Sequence, residues 1–238
     1  VDTVTAGGIL NLTISVEPLS GVGTLDLMVS WPVDVLTSPV LNARLVPAGE
    51  TPGSEHDIVF NSEPPVMTET VQVGYRNESE GTGYYTLFLS LLDDGTTPVW
   101  GTVEAVRILF GQLSEKDFPL IEDVNRIGLD LTIVEELDNP FPIGMSIENE
   151  TVYNPTENIV VTATAAEAAV DSWSWYLQGE TLSDGAGGVT ISSDGTMSTV
   201  TIPAQDLGYY WLNMVAMSGD VFSSETLNFQ VSDDSSQT

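Results

Sequence analysis

Apolar and polar positions alternate along most of this chain, and they do so in short runs. Residues 9–16 put Leu10, Leu12, Ile14 and Val16 on one face. Residues 24–31 do the same with Leu25, Leu27 and Val29. A period of two is the mark of a strand with one face buried. Further runs of this kind cover residues 41–46, 57–60, 70–75, 83–92 and 99–109, then 158–165, 172–178, 197–202, 208–217 and 222–231. Between them stand strand breakers, such as Pro47 to Gly53 and Glu63-Pro64-Pro65, where proline fixes φ and removes a ladder donor. Asp94-Gly95, Ser183-Asp184-Gly185 and Ser193-Asp194-Gly195 have turn chemistry. The run at 99–109 is apolar on both parities, with Val99, Val103 and Ala105 on one and Trp100, Val106 and Ile108 on the other. Such a strand is central in its sheet or covered by a neighbouring domain. A helix is plausible only within 111–137, where Ser114 or Asp117 is placed to cap a short stretch over 119–126 before Gly128.

One spacing recurs. Asp206-x-Gly208-x-Tyr210-x-Leu212 resembles the D-x-G-x-Y-x-C signature that opens strand F of immunoglobulin-like domains, with leucine in place of the disulfide cysteine. Gly83-Tyr84-Tyr85-Thr86-Leu87 repeats the Gly-Tyr-Tyr-x-Leu of Gly208 to Leu212. Trp175 follows Ala163 by 12 residues, close to the spacing from the strand-B cysteine to the strand-C tryptophan in that family. The resemblance therefore implies that Ala163 and Leu212 fill the two cysteine positions by packing. Leu27-Met28-Val29-Ser30-Trp31-Pro32 resembles strand B of fibronectin type III domains. The likeness between halves extends over strands F and G, where Glu104-Ala105-Val106 corresponds to Glu225-Thr226-Leu227.

The expected fold is all-β, with two tandem immunoglobulin-like (Greek-key) β-sandwiches. The first spans 1–137, including a helical or extended connector at 111–137, and the second spans 138–238. The boundary is drawn in the proline-rich, charged stretch 135–142.

Charge changes the picture of partners. There are 35 acidic residues against 5 basic ones, a formal net charge of −30, and a single lysine, Lys116. That field repels phosphate, which argues against nucleic acid and against adsorption to an anionic bilayer. The acids are scattered in ones and twos, as on a solvated surface. Solubility of an exported protein, adaptation to high salt, and attraction of Ca²⁺ or a cationic partner all fit. The chain has no cysteine, which excludes disulfides, thiolate zinc sites and a cysteine nucleophile. No apolar run is long enough to span a membrane as a helix. The beginning, Val1-Asp2-Thr3-Val4, has no basic or apolar leader and reads as a mature or trimmed end, so any signal sequence is expected to be already gone.

Catalytic templates find little support. His56 lies near Ser54 and Asp57, but no G-x-S-x-G elbow accompanies them, and a surface histidine is the simpler reading. The Asp-Gly turns lack the alternating carboxylates of a Ca²⁺ loop. No cofactor is expected, and Ca²⁺ is the one weak alternative. Asn11, Asn77 and Asn149 stand in glycosylation sequons. The tyrosine of each corner, Tyr85 and Tyr210, should fill a core and bond backbone upstream, which turns Tyr84 and Tyr209 outward. By parity Trp211 also lies on the outer face of its strand, and Trp100 belongs to the doubly apolar run. Tyr84, Tyr209, Trp211 and Trp100 are thus the candidate interface or ligand aromatics.

The expectation is a non-enzymatic protein, secreted or on a cell surface. It would be structural and self-assembling through sandwich faces and strand edges, or associated with other surface proteins. The alternative is an adhesin or carbohydrate-binding module that stacks exposed rings on a glycan.

Overall fold

The computed structural model describes residues 23–32, 36–73, 83–108, 113–122, 131–133, 140–149, 151–166 and 169–233. The expected strand at 9–16 lies outside them, as do the sequons at Asn11 and Asn77.

The strands are β1 (Gly23–Ser30), β2 (Val40–Pro47), β3 (Val66–Val73), β4 (Tyr84–Asp93), β5 (Thr97–Arg107), β6 (Leu113–Glu122) and β7 (Leu131–Ile133). They continue with β8 (Ile143–Met145), β9 (Thr151–Tyr153), β10 (Ile159–Ala165), β11 (Ser172–Leu177) and β12 (Glu180–Thr181). The last four are β13 (Thr190–Ser193), β14 (Met197–Ile202), β15 (Gly208–Ser218) and β16 (Val221–Val231). They form four sheets, ordered β3-β1-β6-β7, β2-β4-β5, β13-β14-β10-β8 and β12-β11-β15-β16-β9.

The first two sheets face each other across one core. Leu25, Leu27 and Val29 of β1 meet Leu87, Leu89 and Leu91 of β4, with Trp31 and Trp100 in the same cluster. The alternation buries every odd-numbered residue of β1 from Gly23 to Val29 while its neighbours stay partly open. The other two sheets enclose a second core, built on Val161, Ala163, Trp175, Leu212 and Phe229. Consecutive strands change sheet between β10 and β11 and again between β14 and β15, which is the Greek-key path of an immunoglobulin-like sandwich. The fold is thus two such sandwiches in tandem, all β.

The second sandwich follows the signature closely. Ala163 and Leu212 are both fully buried in one cluster with Trp175. A small residue opposite a large one does by packing what a disulfide would do covalently. The Trp175 indole N–H donates to Ser198 Oγ at 2.8 Å, so its polar atom is satisfied inside the core. The Tyr210 hydroxyl donates to the carbonyl of Asp206 at 3.0 Å, and its ring stacks 5.4 Å from Phe229. That is the expected corner. Phe141, in the boundary stretch 135–142, already belongs to this unit: it is buried in the second core, and its N–H donates to Ser223 Oγ at 3.2 Å.

Two expectations need correction. Residues 113–122 form strand β6, so the capped helix over 119–126 does not form where residues are described. Residues 113–119 pair in parallel with β1, and from Leu120 the strand pairs with β7 instead. Pro119 sits at that handover, where its missing N–H costs one ladder bond at most. Residues 57–60 are not a strand. Asp57 makes one bridge to Arg44, the Ile58 N–H donates to the Ala43 carbonyl, and Ile58 and Phe60 then turn onto the first core.

Candidate functional site: the junction between the sandwiches

Strand β5 is an edge strand, and its apolar outer parity is covered by the second sandwich. Across from it lies the outer face of β15 and β16, which carries Trp211, Asn213, Val215, Phe222, Ser224 and Thr226. Val103 and Phe88 pack with Val46 and Val215 in a small cluster of their own, edged by Tyr176 and Phe222. Phe88 meets Tyr176 edge-on at 5.2 Å, and Tyr84 lies 5.4 Å from Phe222. The guanidinium of Arg107 also covers the Tyr84 ring, 5.6 Å from its centroid.

Gly101 decides how close the two can come. The Trp211 ring lies directly against its backbone, so any Cβ at that position would overlap the indole. Trp211 is 1% exposed, and its indole nitrogen has no hydrogen-bond partner among the described residues. The amide oxygen of Asn213 is likewise buried without a partner among them.

Beside this contact runs a directed chain of hydrogen bonds ending on a carboxylate. Asn213 Nδ2 donates to Thr226 Oγ1 at 2.7 Å, and Thr226 Oγ1 lies 3.0 Å from Thr102 Oγ1. Thr102 donates in turn to Glu104 Oε1 at 2.9 Å, so the Thr226 hydroxyl must be the donor to Thr102. From the other side Ser224 Oγ accepts the Ala105 N–H at 2.9 Å and reaches Glu104 Oε2 at 3.4 Å. The edge strand thereby finds a partner for one of its main-chain donors in the opposite sandwich.

Glu104 is 6% exposed. Burial, the largest influence, pushes its carboxyl up to about 7, against the opposing effects of the Thr102 bond, the Lys116 charge and the Ser224 bond. The nearby Glu225 adds to the rise. The only lysine of the chain, on β6, thus acts on the carboxylate that the junction encloses. Sequence reasoning had no means of finding Glu104, which is one acid among 35.

The four aromatics proposed from the sequence are dispersed. Trp100 is part of the first core. Tyr84 and Trp211 do lie on outer faces, as parity required, but the opposite sandwich buries both. Tyr209 is half-buried, and its carbonyl accepts a bond from Gln178 Nε2 at 3.2 Å. They do not form one exposed platform.

His56 is mostly buried instead of lying free on the surface. Its Nδ1 accepts the Gly53 N–H at 3.2 Å, closing a 3₁₀ turn over Ser54–His56. Asp57 turns away to Arg44, with Nε to Oδ1 at 2.7 Å, so Ser54, His56 and Asp57 do not form a relay. A cleft of about 620 Å³ opens beside this pair, lined by Arg44, Asp57, Phe60 and Phe88 of the first sandwich and by Gln178 and Glu180 of the second. Among the described residues no group of three or more His, Cys, Asp or Glu side chains is placed to hold a metal, and no helix is long and apolar enough to cross a membrane.

No family model and no curated protein matches the chain. Among solved structures, titin M4 in its trigonal form is 12% identical over 41% of this chain and 100% of its own, with a TM-score of 0.33. A chimeric titin Z1Z2 carrying an exogenous peptide from decorin is 18% identical over 38% of this chain and 93% of its own, with a TM-score of 0.32. The twitchin kinase region from C. elegans is 14% identical over 38% of this chain and 16% of its own, at 0.31. At these scores the likeness carries no argument. The immunoglobulin-like assignment rests on strand order and on the tyrosine corner.

Proposed function

We propose that this chain is a structural, self-assembling protein, secreted or displayed on a cell surface, built from sandwiches at 1–137 and 138–238. The observation that supports this best is the use of the aromatic rings. Trp211, Tyr84 and Trp100, which a glycan-binding module would present to solvent, are consumed in holding the two sandwiches together or in filling a core. Among the described residues the outside carries sheet surface, charge and single apolar side chains such as Val59 and Leu207, which suit contacts with other copies or with other surface proteins.

The edge of β3 is poorly suited to such contacts. On β3 the Thr68 N–H is taken by Ser62 Oγ at 2.6 Å and the Thr70 N–H by Glu69 Oε1 at 3.2 Å. A capped and charged edge resists pairing with another chain. With that edge closed, sheet faces and the remaining edges are the favoured contact surfaces.

The second reading, an adhesin or carbohydrate-binding module, draws on the cleft beside Arg44. It combines two phenylalanines with carboxylates and a guanidinium, a mixture suited to a sugar. Size-exclusion chromatography with light scattering separates the two, run with and without about 1 M NaCl and with Ca²⁺. Self-assembly expects mass to grow with concentration and with salt, because screening relieves the repulsion between copies of net charge −30. A monomer at every concentration and salt level would refute it.

A further inference from the structure

The outer face of sheet β13-β14-β10-β8 bears no charge. On β10 it consists of Val160, Thr162 and Thr164, and on β14 of Met197, Thr199 and Thr201, which stand directly opposite one another in the ladder. Strand β13 adds Thr190 and Ser192 in the same rows, and β8 adds Gly144. Val160 and Met197 are 48% and 45% exposed. The hydroxyls of Thr162 and Thr199 satisfy each other at 2.8 Å, so the middle of the face needs little from water.

This contrasts with the other faces. The equivalent four-stranded sheet of the first sandwich presents the exposed Glu115 and Asp117 of β6, beside the partly buried Asp26 of β1. The opposite face of the second sandwich is already covered by the junction. In a chain of net charge −30, any close approach of two copies is opposed by repulsion, and a face without acids is where the opposition is least. Interface centres are in general depleted of charge and rimmed by polar groups. Here Asp184 flanks the open side of β13, where it accepts the Ile191 N–H at 2.9 Å, Asp194 stands at the β13–β14 turn, and Glu157 precedes β10, all at the rim.

We propose that this threonine-rich face of the second sandwich is the surface through which a second copy of the chain docks, sheet against sheet. The inference rests on the self-assembly reading and names its contact surface. The nine outward residues of the four strands, each occupying about 4.8 Å across the sheet and about 6.6 Å along a strand, give a patch of about 300 Å². That is well under half of the roughly 800 Å² per partner of a standard stable interface. A single pair of copies is therefore held weakly, and the contact works at high local concentration, as in a surface array.

Sedimentation velocity tests this over a concentration series at low salt and at about 1 M NaCl. The chains compared are the parent, Thr164→Glu/Thr201→Glu, and Thr70→Glu as a control on the acid-bearing face of the first sandwich. The parent and the control should associate alike, and the double variant should weaken association about tenfold or more. Ser192→Glu, on an exposed strand at the side of the same face, serves if the double variant is not folded by its thermal midpoint. Association unchanged in a folded face variant would overturn the docking face while leaving self-assembly standing. A parent chain that never associates would remove both.

Discussion

Glu104 offers the sharpest test of the junction, through replacement by glutamine. Its carboxyl titrates at about 7 in the folded chain against 4.5 when exposed. The folded state therefore holds the proton more tightly than the opened or unfolded state does. Stability from this group is fully present below about pH 4.5, declines as pH rises because only the unfolded chain loses its proton, and is fully lost above about 7. At about 1.4 kcal/mol per pH unit the gap amounts to about 3 kcal/mol. Glutamine keeps an acceptor for the Thr102 hydroxyl and a neutral group of the same shape, but it does not titrate.

The assay is denaturant unfolding of both chains from pH 4.5 to 9 at fixed ionic strength. Other carboxylates respond to pH as well. Asp93 and Asp194 are held below their usual range by main-chain N–H bonds, chiefly from Ser38 for Asp93 and from Thr196 for Asp194. Their contribution runs the other way, present above about 3.8 and lost as pH falls. Subtracting one chain from the other cancels them and leaves Glu104. The variant should match the parent near pH 4.5 and exceed it by about 3 kcal/mol at pH 8, less any difference in hydrogen bonding. A difference that stays flat between pH 5 and 8, or that falls as pH rises, would show that Glu104 is not enclosed between the sandwiches.

Gly101→Ala should force the Trp211 ring away from β5 and cost about 1–3 kcal/mol, as overpacking does. Fluorescence of the displaced indole would report it, and an unchanged midpoint would mean that the sandwiches do not touch there. Tyr210→Phe removes one hydroxyl bond to Asp206 and should cost about 0.5–1.5 kcal/mol. Tyr210→Ala should cost more, about 3 kcal/mol, through the lost stack on Phe229. Equal unfolding energies for Tyr210→Ala and Tyr209→Ala would contradict the inward and outward assignment of β15.

The period of two carried most of the fold, because one-sided burial leaves its imprint on every second residue. It placed β1, β4, β10, β15 and β16 within two residues at either end. It failed where other constraints replaced it. Strands β8 and β9 have three residues each, too few to show a period. Strand β6 was obscured by Pro119 and by residues that cap helices elsewhere, since its place is set by main-chain pairing with β1 and not by an apolar stripe. In the junction, the outward parity of Trp211 was legible, but its partner was not. A glycine that admits an indole looks like any other glycine in a strand, and a buried glutamate looks like a surface one.

The two contacts differ in chemistry for a reason that follows from connectivity. The sandwiches of one chain are tethered, so each meets the other at an effective concentration in the millimolar range. Separate copies in micromolar solution are about a thousandfold more dilute, a difference of about 4 kcal/mol. The penalty of about 3 kcal/mol for enclosing Glu104 above pH 7 is within what the tether offsets. No untethered contact of about 300 Å² has that margin. A carboxylate is thus tolerable in the junction within the chain, whereas a face that docks between chains must do without one, and the face formed by β10 and β14 is free of charge.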